Sequence, residues 1–252
     1  MREIMTKKIA SKKAPERKSK PISVCLLAGA LAACQPQSKE QTSVPSPTVS
    51  KHPHATVYQI AGEQSAIKLK VYRDGPLARF GHNHAIAIEQ ISGTLYREKT
   101  LSQSEVEFSF PVAAMAVDRI ADRAEMGADF AGAVTPEAVA GTRENMLGPK
   151  LLAAQQYPKI ALRSIAISGE WPDLNMVVAV KLRALETQLI VPIHLDEKNG
   201  VLTADGAVRL SQVQLGLTPY SVLGGGLRVG DAIDAQFHFV AMQTSQNNGV
   251  NK

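Results

Sequence analysis

Cysteine is nearly absent from this 252-residue chain: there are two, Cys25 and Cys34. Beyond residue 34 no thiol remains for a disulfide, a Cys-based zinc site or a cysteine nucleophile. The apolar run ISVCLLAGALAA, residues 22–33, has 12 residues, too short to cross a bilayer as a helix, which takes about 20. No Gly-x-Ser-x-Gly elbow marks a serine hydrolase, and no internal repeat marks a solenoid. The glycine-rich stretch Gly224 to Gly230 lacks the phosphate-binding pattern and leads into a strand pattern, so it reads as a rim loop. A basic surface is missing too, although the net charge is +5 and the pI near 9.2. Residues 1–33 hold eight basic groups against two acidic ones, which leaves 20 basic and 21 acidic residues in the rest. A phosphate-tracking surface needs clustered Lys and Arg on the folded part, so no nucleic-acid partner is expected.

What the N-terminal end does have is an export signal. Basic residues from Arg2 to Lys20 precede the apolar run, in the order of a secretory n-region and h-region. The run closes on Leu31-Ala32-Ala33-Cys34, which resembles the bacterial lipobox, so Cys34 is the expected lipidation site and the membrane a partner through its acyl chains. Gln35 rather than Asp follows, which favours the outer membrane, with the protein on the periplasmic side. The expected divisions are a signal peptide over 1–33, a lipidated Cys and tether over 34–55, a folded domain over 56–243 and a polar tail over 244–252. The tether is poor in aliphatics and rich in Ser, Thr, Gln and Pro, a composition that cannot order itself by burial.

Within the domain the pattern is mostly of period two. Ile67, Leu69 and Val71 alternate with lysines, and Val106, Phe108 and Phe110 with Glu and Ser. Leu189, Val191, Ile193 and Leu195 form one face of a later run, Leu202 to Leu210 another, and Ile233, Ala235, Phe237 and Phe239 the last. Turn signals such as Ser92-Gly93 and Lys198-Asn199-Gly200 separate them. One-sided alternation over many strands predicts a mainly β fold, an antiparallel lipocalin-like barrel of about eight strands. A helical insertion interrupts it. Thr135-Pro136-Glu137 is an N-cap, a proline at the first helical position and an early acid, and Gly148-Pro149 stops the helix. A shorter helix is expected between Asp118 and Asp129.

Arg143-Glu-Asn-Met-Leu147, Tyr157-Pro-Lys-Ile-Ala-Leu-Arg-Ser164, Gly206-Ala-Val-Arg-Leu210 and Gln214-Leu-Gly-Leu-Thr-Pro-Tyr220 together resemble the YceI-like proteins. Those are periplasmic lipocalin-like barrels that hold a polyisoprenoid chain, and the resemblance covers about Tyr58 to Ala241. Two segments differ: Ala184-Leu-Glu-Thr-Gln188 stands for the usual Gly-x-Thr-Lys turn, and Gly75 to His84 has a form of its own. The resemblance implies a non-catalytic binding protein with an apolar lipid ligand and no cofactor beyond a bound isoprenoid lipid or quinone. The inward set expected to line the ligand is Ile67, Leu69, Val71, Val106, Phe108, Phe110, Leu182, Val191, Ile193, Phe237 and Phe239.

Among polar residues, His82 and His84 are the sharpest feature, because positions i and i+2 of a strand share a face. They read first as a hydrogen-bonded pair at the barrel mouth. A polar headgroup contact is the next reading, and a metal site, which needs a third ligand the sequence does not place, is the last. His-Asn-His without a basic domain is not a nuclease signal. Arg123, Arg143 and Asn145 on the helical insertion, and Thr218 and Tyr220 in the loop after the penultimate strand, are candidate headgroup contacts. Asp118 and Asp122 read as a helix surface, and His194 and His238 as solvated faces. Two alternatives stay open: a metal- or quinone-linked envelope accessory protein using His82 and His84, and an interaction module with a filled barrel, since a packed core shows the same alternation.

Overall fold

The computed structural model describes residues 51–244. The expected signal, Cys34, the tether up to residue 50 and the tail from residue 245 lie outside the described residues. The strands are β1 (Thr56–Ile60), β2 (Ala66–Asp74), β3 (His84–Ile88), β4 (Ser92–Arg97), β5 (Glu105–Pro111), β6 (Ala116–Val117), β7 (Lys159–Glu170), β8 (Asp173–Leu182), β9 (Leu185–Lys198), β10 (Val201–Ser211), β11 (Ser221–Val222) and β12 (Leu227–Gln243). The helices are α1 (Ile120–Glu125) and α2 (Pro136–Leu147).

Hydrogen bonding runs antiparallel from β1 through β4, β5, β7, β8, β9, β10 and β12, and β12 pairs back with β1. This closes an eight-stranded barrel and leaves no free edge along that ring. The strands β2, β3 and β6 are the other halves of bent strands: β1 pairs with β4 as β2 pairs with β3, and β4 pairs with β5 as β3 pairs with β6. The 17-residue β12 spans both halves, meeting β1 at Ala241–Gln243 and β2 from Arg228 to His238.

The bends are built from particular residues. At Gly62 an added Cβ would lie 2.3 Å from the Ile91 carbonyl oxygen, so the bends in the first two strands pack backbone to backbone and leave room only for glycine. The buried Ser65 hydroxyl donates to the Ala61 carbonyl at 2.9 Å and accepts the Val240 amide at 3.0 Å. It supplies the hydrogen bond that the ladder loses at the bend. Elsewhere the hairpins are regular. Asn199 and Gly200 join β9 to β10 with φ of 53° and 75°, the type I′ turn that Asn-Gly favours. A bulge between Ser164 and Ala166 on β7 turns Ile165 outward and returns Ile167 to the interior, as an extra residue in one strand does.

The helix α2 starts at the proline the sequence places there, capped by the Thr135 hydroxyl, which accepts the Ala138 amide at 3.3 Å. Its Thr142, Asn145 and Met146 face the barrel interior. The segment around α1 covers the outer face of β3, where Ala85, Met126 and Phe130 are buried together against Tyr72. Where β1 meets β4 and β12, the Tyr58 hydroxyl donates to Glu197 at 2.5 Å, and Arg97 pairs with the same carboxylate at 2.9 Å. Burial and the Glu197 hydrogen bond push the Tyr58 phenol up to about 12. Among the described residues no helix is long and apolar enough to cross a membrane.

Candidate functional site: an apolar barrel cavity with a histidine pair in its wall

The barrel interior is open. A cavity of about 680 Å³ runs through it, within the roughly 300–1,000 Å³ typical of small-molecule sites. The filled interior that the interaction-module alternative requires is therefore not what the chain forms. Its walls are the inward sides of the alternating strands: Ile67, Leu69 and Val71 on β2, Val106, Phe108 and Phe110 on β5, Leu182 on β8, Val191 and Ile193 on β9, and Phe237 and Phe239 on β12. The Phe108 and Phe239 rings meet at 4.9 Å between centroids and Phe237 follows at 5.7 Å, which makes an aromatic band in the wall. The band exists because β10 has no side chain at Gly206, where a Cβ would lie 2.3 Å from the Phe237 ring.

Polar groups are a minority of this lining. His82, His84, Asn145 and Tyr220 all face the cavity, joined by Arg73, Arg97, Ser104, Thr142, Gln212 and Arg228. Three of the candidate headgroup contacts are elsewhere. Thr218 is exposed and does not line the cavity. Arg143 turns its guanidinium to the carbonyls of Ala113 and Met115, both at 2.5 Å, and so ties α2 to the bend between β5 and β6. Arg123 is not on the surface of the insertion: it is 5% exposed and lies behind the histidines. Asp118 and Asp122, expected on a helix surface, are buried as well, because Arg123 and Arg119 fold over them.

The histidines sit in a built network. His84 opens β3, and its ring lies 4.6 Å from that of His82 in an edge-to-face arrangement. His84 Nδ1 donates to Asp118 Oδ2 at 2.7 Å, since the ionised carboxylate can only accept. Asp118 Oδ1 accepts the Ala85 amide at 2.8 Å and Arg123 at 2.6 Å. Burial works against the Asp118 charge, but these three donors together hold its carboxyl below the usual range. Arg123 also donates to the carbonyls of Asn83, at 2.7 Å, and Gly132, at 3.0 Å. Asn83, pointing away from the cavity between the two histidines, accepts the Arg73 amide at 3.0 Å and donates to the Asp129 carbonyl at 3.2 Å. The pair is thus clamped from behind by the segment 118–132. His82 differs from His84: its Nε2 is buried with no hydrogen-bond partner, and burial, then the neighbouring His84, push its pKa down. By contrast His194 and His238 are half-exposed and paired with Asp173 and Asp205, each at 2.7 Å.

Within the histidine network, the part that the sequence does not show is that of Asp118. It lies 34 positions from His84, and an aspartate next to a short polar helix carries no local sign of burial.

No protein-family model matches the chain, and no curated protein matches it. Among solved structures, BcnA of Burkholderia cenocepacia has a TM-score of 0.53 at 13% identity, covering 73% of this chain and 99% of that chain. The YCEI protein of Campylobacter jejuni has a TM-score of 0.46 at 7% identity, covering 63% of this chain and 84% of that one. The BcnA likeness is one of fold. The fold itself, a closed antiparallel barrel with a helical insertion, is the one that a YceI-like resemblance implies.

Proposed function

We propose that this protein is an exported, lipid-anchored binding protein of the YceI-like kind, which holds a long apolar chain of polyisoprenoid type in its barrel and catalyses no reaction. The observation that carries the reading is the cavity: about 680 Å³, walled by aliphatic and aromatic side chains from every strand of the ring. Each ligand CH₂ moved from water to such a wall contributes about 0.8 kcal/mol, so a long prenyl chain binds without charged contacts. Polar lining residues such as His82, His84, Asn145 and Tyr220 offer a headgroup its few hydrogen bonds. Anchoring rests on the sequence alone, through Cys34 and the apolar run before it.

The test is mass spectrometry of the organic extract of the full-length protein purified from membranes. A stoichiometric lipid with a five-carbon mass ladder on fragmentation is the expected result. Protein that yields no lipid, and takes up none when incubated with a long-chain prenol, overturns the reading.

A further inference from the structure

We propose that His82, His84 and Asp118 form a binding site for a divalent transition-metal cation of the zinc type, in the wall of the barrel cavity. One ligand atom from each of the three lies within 4.8 Å of the other two. Two imidazoles and a carboxylate are the donor set that borderline first-row cations favour over calcium or magnesium, which prefer all-oxygen surroundings. The proposal does not rest on which ligand fills the cavity, although His82 and His84 line that cavity as well.

Three observations converge on it. First, His82 Nε2 is a buried ring nitrogen with no hydrogen-bond partner. Buried polar atoms in native proteins are nearly always satisfied, and an exception points to a group that completes it. Second, His84 Nδ1 and Asp118 Oδ2 stand 2.7 Å apart, joined by the imidazole proton. A cation seated among the three residues takes the place of that proton. Third, the surroundings fix the donors before any ion arrives. Arg123 and the Ala85 amide hold Asp118, and Asn83 is tied at both ends of its amide between the histidines. Outer-shell partners of this kind orient ligands and raise metal affinity.

The chemistry of a filled site follows from charge and coordination. Three protein ligands leave a fourth position of a tetrahedral ion open, and both histidines face the cavity. The one carboxylate is already shared with Arg123, so a bound dication keeps positive charge and draws an anionic or strongly polar oxygen from the cavity side.

The experiment loads the full-length protein with Zn²⁺, dialyses it against metal-free buffer and counts retained zinc. Co²⁺ is then used as a visible-absorption probe of coordination. The expected result is one zinc per chain, Co²⁺ bands of four- or five-coordinate intensity, and loss of both in His82→Ala and in His84→Ala. His82→Ala is the decisive variant, because its ring nitrogen holds no other group and the metal-free melting temperature should stay within about 2 °C of wild type. Asp118→Asn, which also weakens the Arg123 pair, is read by its Co²⁺ spectrum rather than its melt. Zinc that is not retained overturns the proposal. So does zinc retained equally by the His82→Ala, His84→Ala double variant, which would place it on other groups such as His52 and His54.

Discussion

Enlarging one ring of the aromatic band separates an open tunnel from a packed core. Phe108 faces the cavity from β5, and its ring stands 4.9 Å from that of Phe239. In Phe108→Trp the indole extends into space that the proposed chain would occupy. If it displaces one five-carbon unit, it forfeits about five times 0.8 kcal/mol, near 4 kcal/mol, or roughly a thousandfold in affinity. The fold itself should be indifferent, since the added volume meets empty space. Were the interior close-packed, the same substitution would cost about 1–3 kcal/mol, a fall in melting temperature of about 2–12 °C for a domain of this size. The assay compares uptake of a long-chain prenol by full-length wild type and variant, and then the melts of both after delipidation. Delipidation matters because a ligand that binds only the native state adds stability of its own. Prenol uptake lost with the lipid-free melt unchanged is the expected result. An undiminished uptake, or a lipid-free melt lowered by several degrees, refutes the tunnel reasoning.

Arg123→Met leaves the buried Asp118 with only His84 and the Ala85 amide and strands the carbonyls of Asn83 and Gly132; thermal melts should show a loss of about 3–5 kcal/mol, and a loss under 1 kcal/mol would mean the network is slack. The Tyr58 phenol, raised to about 12 from an ordinary 10.0, stabilises the fold in full below pH 10 and loses that contribution as pH rises from 10 to 12. Tyr58→Phe should therefore be less stable than wild type at pH 8, by about 1.5–3 kcal/mol for a hydrogen bond to a carboxylate. The gap should close by pH 12 in denaturant titrations, and a constant gap would sink the assignment. Cys34→Ser should move the full-length protein from the membrane pellet to the soluble fraction, and persistence in the pellet after a high-salt wash would contradict a lipid anchor.

The regular parts of the fold were legible because each depends on neighbours in sequence. Alternation on β2, β5, β9 and β12 states which side faces in, and Thr135-Pro136 marks the start of α2 by local backbone chemistry. The bends were not legible. Gly62 is a lone glycine until Ile91 is brought against it, and Ser65 looks like any surface serine until Val240 arrives from the far end of the chain. The same holds for the histidine network. The i, i+2 spacing put His82 and His84 on one face, but Asp118 and Arg123 are charged residues whose burial depends on each other. Arg143 is legible as a residue of α2, but nothing in its own surroundings announces the carbonyls that the bend between β5 and β6 turns toward it. Alternation alone also leaves a packed and a hollow barrel alike; the difference lies in the sum of side-chain volumes around the ring.

The seam between β1 and β12 has a consequence for the order of events in the life of the chain. It joins the first strand of the barrel to the last, and the Thr244 hydroxyl, which donates to the Val57 carbonyl, stands 187 residues from it in sequence. A chain delivered N-terminus first cannot form this pairing until its last strand has emerged, and contacts of such separation are slow to form. Until then β1 has only β4, and the rows of unpaired backbone groups on its open side invite pairing with other chains. The apolar walls of the half-assembled barrel stay exposed until that seam forms. Closure of the cavity and docking of the last strand are then one event: the interior is walled off only when β12 meets β1.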